Sequence, residues 1–107
     1  MNNPTPAELL AKPEVMKEVY LNDSHDSEYG TTTYWFTAPK ELVTSYAPDA
    51  DEAEISVELP TNEQTAENAY VGLSSVYDCT CEDWDELQLA EELINKLLEK
   101  AKKGVRG

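Results

Sequence analysis

The chain has 107 residues and a mass of 12.0 kDa, the size of one domain, and its 22 acidic against 8 basic residues give a net charge of -14. This charge argues against direct binding to nucleic acids or to anionic lipid headgroups, because both carry negative charge themselves. No apolar run has the roughly 20 residues of a membrane span, and the N-terminal residues lack a signal-peptide pattern, so we expect a cytoplasmic protein without membrane contact.

The first predicted element is a short helix that begins after Thr5. Thr5 is a good N-cap, a proline follows at the first helical position, and the glutamate three residues after the cap completes a capping box. We expect this helix to run to about residue 11, and Pro13 either to limit it or to begin a second turn. Residues 14 to 21 are expected to pass from helix into strand, before a polar turn over residues 22 to 30.

Three further stretches have the patterns of strands in an antiparallel sheet. Residues 31 to 37 are rich in β-branched and aromatic side chains, which suit a pleated, half-buried surface. Residues 53 to 59 alternate strictly between apolar and polar, so one face would meet the core and the other would carry carboxylates. Residues 70 to 77 are expected to form another strand, in which Gly72 marks a bulge.

The last predicted element is an amphipathic helix over residues 82 to 103, and a capping box at Thr80 and Asp83 would begin it. Its apolar face is expected to consist of Trp84, Leu87, Ala90, Ile94, Leu97, Leu98 and Ala101. Residues 1 to 107 are therefore predicted to form a single small acidic domain of the α+β class. In this domain, an antiparallel sheet of three to four strands carries a short N-terminal helix and a long C-terminal amphipathic helix packed on the sheet.

The negative charge is concentrated in one part of the chain. Residues 41 to 95 contain fifteen Asp and Glu and no Lys or Arg, whereas residues 96 to 107 carry a net positive charge. Exposed carboxylates closer than the Debye length of about 8 Å repel one another, so the arrangement costs stability unless something offsets it. A basic partner protein would offset it.

The candidate partner-binding residues are twelve of the fifteen acids of this block together with its three tyrosines, because tyrosine adds buried area and stacks on arginine. They are Asp49, Asp51, Glu52, Glu54, Glu58, Glu63, Glu67, Asp78, Glu82, Asp83, Asp85, Glu86, Tyr46, Tyr70 and Tyr77. The pattern predicts a small acidic protein that docks on a basic, nucleic-acid-binding surface of a partner protein or nuclease, as a stoichiometric inhibitor or nucleic-acid mimic. Phage anti-defence proteins, antitoxins and nuclease immunity proteins are analogous in size, charge and mechanism only.

Self-association is the alternative interpretation. Leu89 and Leu93 extend the apolar arc of the predicted C-terminal helix sideways, beyond the face that would cover the sheet. This edge would join two copies as a homodimer or bind another subunit in a structural module. The acidity of the chain would then serve only its solubility.

Catalytic and metal-binding patterns are weak in this sequence. Cys79 and Cys81 with His25 or Asp78 are zinc-ligand types, but structural zinc sites usually space their ligand pairs more widely, so we predict no metal and no cofactor. Neighbouring residues such as Ser24 to Asp26 cannot adopt the geometry of a catalytic triad, and no two carboxylates stand out as an acid and base pair. We therefore predict that the protein is not an enzyme.

Overall fold

A computed structural model describes residues 5–78 and 80–104, which form an antiparallel sheet with helices on one of its faces. The strands lie in chain order across the sheet: β1 Tyr20–Asp26, β2 Thr31–Ala38, β3 Glu52–Pro60, β4 Tyr70–Tyr77 and β5 Thr80–Glu86. The helices are α1 Pro6–Leu10, α2 Pro13–Met16 and α3 Glu91–Gly104, with short 3-10 turns at Lys40–Leu42 and Ala66–Asn68. The predicted α+β class is confirmed, and the sheet has five strands instead of three or four.

The N-terminal helix forms as predicted. Thr5 Oγ1 accepts a hydrogen bond from the backbone N–H of Glu8 at 3.1 Å, and Glu8 Oε1 accepts one from the N–H of Thr5 at 2.8 Å. Pro13 begins α2, since proline fits a first helical turn whose N–H groups need no helical partner. The strand β1 then begins at Tyr20 and runs through most of the polar segment predicted to turn, because an exposed edge strand needs few apolar residues.

The core lies between the helices and one face of the sheet. Phe36 in β2 is opposite Ile55 in β3, which is opposite Leu73 in β4, and all three side chains are buried. The alternation predicted for β3 is thus confirmed, with Val57 and Leu59 also in the core. The helix α3 contributes Leu93, Ile94, Leu97, Leu98 and Ala101 to this core.

The C-terminal helix is shorter than predicted. Residues 82 to 86 belong to β5, and the helix begins at Glu91. The predicted capping box at Thr80 and Asp83 is therefore wrong, because pairing with β4 supplies the backbone hydrogen bonds that a helix would have supplied locally. Trp84 accordingly lies on a strand and not on the apolar face of a helix. Across the described residues, no helix combines the length and apolarity that a bilayer span requires.

A β-bulge lies in β5 and not at Gly72. Gly72 keeps a regular register with both neighbouring strands, so the bulge predicted at this glycine is wrong. The register shifts where Asp83 and Trp84 together lie opposite Ser74. Asp83 has a φ of 56°, in the left-handed region that aspartate adopts more readily than most side chains. The extra residue determines which face of the sheet Trp84 reaches.

Candidate functional site

The sheet face that points away from the helices carries an open groove, which we call the open-face groove. It has a volume of about 510 Å³ and is formed by side chains from β2, β3, β4 and β5. The lining residues are Thr33, Trp35, Glu54, Ser56, Glu58, Tyr70, Ser74, Cys81, Glu82, Asp83 and Trp84. The groove therefore combines carboxylates, three large aromatic rings and small polar side chains on a rigid sheet.

One row of residues across the sheet determines the shape of the groove. Trp35 is opposite Ser56, and Ser56 is opposite Gly72. The indole of Trp84 covers Gly72 so closely that a Cβ there would lie 2.5 Å from Trp84 Cε2, well inside van der Waals contact. Glycine at this position thus allows the ring to lie against β4. The groove has a tryptophan on each side and the small Ser56 between them.

The Trp84 ring is paired with Tyr70 on the rim formed by β4 and β5. The two ring centroids are 5.8 Å apart and the ring planes differ by 30°, an offset-stacked arrangement. Both side chains remain about half exposed, at 46% for Tyr70 and 52% for Trp84. The pair is therefore a preformed aromatic surface that a ligand can contact.

Two carboxylates flank the centre of the groove along β3. Glu54 and Glu58 lie two residues before and after Ser56, on the same face of the strand. The thiol of Cys81 donates a hydrogen bond to Glu54 Oε2 at 3.0 Å. Partial burial, this bond and the charge of Glu54 raise the pKa of Cys81 to about 11. The thiol is therefore protonated at neutral pH and acts as a hydrogen-bond donor. Because the thiolate is the nucleophilic form of cysteine, this thiol is a poor nucleophile at that pH.

Part of the predicted binding set lies at this groove. The predicted residues that line it are Glu54, Glu58, Tyr70, Glu82 and Asp83. Glu52 and Glu86 share the same face of the sheet, since they are opposite Val76 and Gly72 in register. Acids that are distant in sequence are thus brought together on adjacent strands.

The other predicted residues lie elsewhere. Asp49, Asp51 and Asp78 lie in turns, where Asp51 Oδ2 accepts a hydrogen bond from the N–H of Asp78 at 2.8 Å. Glu63 and Glu67 lie in the connection between β3 and β4, and Tyr46, Tyr77 and Asp85 are likewise outside the groove lining. Partial burial, followed by the charges of Asp85 and Asp83, raises the pKa of Tyr46, which places this phenol near β5. The predicted acids are therefore divided among several surfaces.

Trp35 and Trp84, the two tryptophans of the sequence, are absent from the predicted binding set although both line the groove. The alternation of β2 contained a signal for Trp35, because its neighbour Phe36 is on the core face and Trp35 must then face away. Trp84 had no such signal, since its segment has an apolar pattern that also fits a helix. Its position follows from the pairing of β5 with β4.

The residues considered for zinc binding are dispersed. His25 lies on β1 and Cys81 on β5, at opposite edges of the sheet, while Cys79 is outside the described residues. Within residues 5–78 and 80–104, no group of three or more His, Cys, Asp or Glu is placed to hold a metal ion. An ion shared by His25 and Cys81 is excluded by the strand order.

The chain matches no protein-family model, no curated protein and no solved structure. The function of the protein is therefore inferred from the chemistry of the open-face groove: carboxylates along its floor, aromatic rings on its sides and a small polar centre.

Proposed function

We propose that this protein is a non-catalytic binding domain that docks the open face of its sheet on a basic surface of a partner protein. The observation that carries the proposal is the open-face groove, where the carboxylates of Glu54 and Glu58 lie beside exposed aromatic rings. Glu82 and Asp83 line its β5 edge, and no lining residue is Lys or Arg. These carboxylates repel one another in the free protein. A basic surface relieves this repulsion and gains the aromatic contact area as well.

The acids of β3 support an inhibitor that occupies a nucleic-acid-binding site. Glu52, Glu54 and Glu58 occupy three of four successive open-face positions on one strand, with Ser56 at the remaining one, and neighbouring positions are about 6.8 Å apart. Carboxylates aligned along one strand can engage the lysine and arginine side chains that would otherwise bind phosphates. A partner held in this way cannot bind DNA or RNA at the same surface, which is the action of a stoichiometric inhibitor or nucleic-acid mimic. The free Cys81 thiol is compatible with a reducing, cytoplasmic location.

The alternative of self-association through Leu89 and Leu93 has less structural support, and only Leu93 lies on α3. Leu93 is buried in the core of the single chain, and Leu89 is partly buried and packs against that core. The leucine edge on which this interpretation depends is thus largely covered within one molecule. Dimer formation through Leu89 and Leu93 stays a prediction, and a constant mass at all protein concentrations would contradict it.

A capture experiment with matched charge reversals tests the proposed docking function. The intact protein is immobilised and then exposed at low salt to a lysate of its source organism. Bound proteins are eluted with a salt gradient and identified. We expect a nucleic-acid-binding protein to elute late. The purified partner should bind the double variant E54K/E58K at least about 100-fold more weakly than the wild-type protein, because like charges would then face each other across the interface.

The control is E63K/E67K, which makes the same change in net charge in the β3–β4 connection, away from the groove. Circular dichroism verifies that both variants remain folded. The partner should also lose its nucleic-acid affinity in the complex. Equal weakening by both double variants, or binding that is insensitive to salt, contradicts docking through the open face.

A further inference from the structure

The centre of the open-face groove has the dimensions of a site for a flat organic cation. Trp35 on β2 and the Trp84 ring over Gly72 on β4 stand on either side of Ser56. The strands β2 and β4 are two spacings apart, about 10 Å. A planar group stacked on an indole needs about 3.5 Å of depth, and the groove volume of about 510 Å³ is large enough to hold one.

The charges around this centre favour a cation with several donors. Glu54 and Glu58 are each about 6.8 Å along β3 from Ser56, one on either side, so both carboxylates can reach a group bound there. The bond from Cys81 holds one oxygen of Glu54 and orients its carboxylate. The Cys81 thiol remains neutral, so it adds no negative charge to the groove near neutral pH.

We propose that the groove binds an arginine side chain of the partner protein, an inference that rests on the proposed docking function. A guanidinium is flat, stacks on aromatic faces and carries five N–H donors in its plane, so it can contact an indole and a carboxylate at once. A lysine ammonium satisfies the charge but not the stacking geometry. Trp35 and Trp84 thus select arginine over lysine, while Glu54 and Glu58 select a cation over a neutral group.

Short capped peptides that carry one arginine, one lysine or one citrulline between glycine and serine residues test this inference on the intact protein. Since both tryptophans line the groove, the indole N–H signals in ¹H–¹⁵N spectra report binding at the site directly. We expect both indole signals to shift on addition of the arginine peptide. Its affinity should exceed that of the lysine peptide by about fivefold, as cation–π stacking predicts, and the neutral citrulline peptide should not bind.

Groove variants and a matched control locate the effect. E54Q/E58Q should weaken arginine binding about tenfold, whereas E63Q/E67Q, which removes the same charge elsewhere, should change it less than about twofold. W84A should weaken it about fivefold, and W84F should retain most of the affinity because it keeps an aromatic face. Arginine and lysine peptides of equal affinity, or equal losses in the two glutamine variants, would show general charge attraction only and overturn the inference.

The result is independent of the docking test. If E54K/E58K abolishes partner binding while the arginine peptide binds no better than citrulline, the arginine inference is overturned and the docking function stands. If the arginine peptide binds selectively at the groove while E54K/E58K retains the partner, the arginine site is supported and docking through the open face is contradicted.

Discussion

Gly72 and Trp84 show how one residue controls the surface of this domain. The Trp84 ring lies where any side chain at position 72 would project, and the space it uses exists because glycine has no Cβ. A glycine inside a strand costs about 0.5 to 1 kcal/mol of conformational entropy relative to alanine. Here the indole covers the exposed backbone of β4 and stacks on Tyr70, which offsets part of that cost.

A double-mutant cycle of G72A and W84A measures this contact. In the wild-type background, G72A should displace the ring and lower the free energy of unfolding by about 1 kcal/mol, in the range of coupled neighbours. In the W84A background the same change should be neutral or stabilising, since nothing then opposes the Cβ. Urea unfolding provides the four free energies. An equal effect of G72A in both backgrounds would mean that the two residues do not interact.

The strand β5 positions the aromatic rim at the scale of a whole element. It is exposed along its length and rich in acids, so its register is determined by pairing with β4 and by the bulge at Asp83. The hydroxyl of Ser75 is 3.1 Å from the carbonyl of Glu82 and 3.2 Å from Asp83 Oδ2, and it donates to these oxygens at the bulge. This local anchoring directs Trp84 to the open face.

Substitutions at Asp83 test the role of the bulge. D83N should preserve stability, because asparagine tolerates a left-handed backbone and can accept the bond from Ser75. D83V should lower the free energy of unfolding by about 1 to 2 kcal/mol, since a β-branched side chain is strained at a φ of 56°. The difference between the urea midpoints of the two variants is the measurement. Equal midpoints would show that the bulge does not depend on this conformation.

Charge separation dominates the molecule as a whole. The acids of β3 lie on the face opposite the helices, whereas Lys96, Lys100, Lys102 and Lys103 lie on α3, which packs on the other face. These acids are thus held close together, away from the lysines of α3. On the proposed docking function, this arrangement would favour a complex with a basic partner at the expense of the free protein.

Salt should therefore stabilise the free protein. Raising NaCl from about 10 mM to about 0.5 M should increase the melting temperature by roughly 5 °C, corresponding to about 1 kcal/mol of screened repulsion. The increase should be smaller for E54Q/E58Q than for E63Q/E67Q, because the first pair lies among the clustered acids. Thermal unfolding followed by circular dichroism measures these changes. A melting temperature that falls with salt would indicate that favourable ion pairs outweigh the repulsion.

Local patterns were sufficient for much of the fold. The capping box at Thr5 and the alternation of β3 depend on neighbouring residues only, and both are observed as predicted. Of the predicted apolar helix face, the part that lies on α3 is in the core, namely Ile94, Leu97, Leu98 and Ala101, whereas Trp84, Leu87 and Ala90 precede this helix. The residues around Trp84 were misassigned because their spacing fits a helix as well as a bulged strand. An inserted residue breaks the period of two by which a strand is recognised.

The sequence by itself determined the α+β class, the core face of the central strands and the concentration of acids in residues 41 to 95, because periodicity and charge are properties of the linear chain. Only the tertiary structure decided which acids form a site. Strand pairing places Trp35 and Trp84 on either side of Ser56 and sends Glu63, Glu67 and Asp85 elsewhere. The physical reason is that strand register, the bulge and the absence of a Cβ at Gly72 bring residues that are far apart in sequence into proximity. No local sequence pattern encodes that proximity.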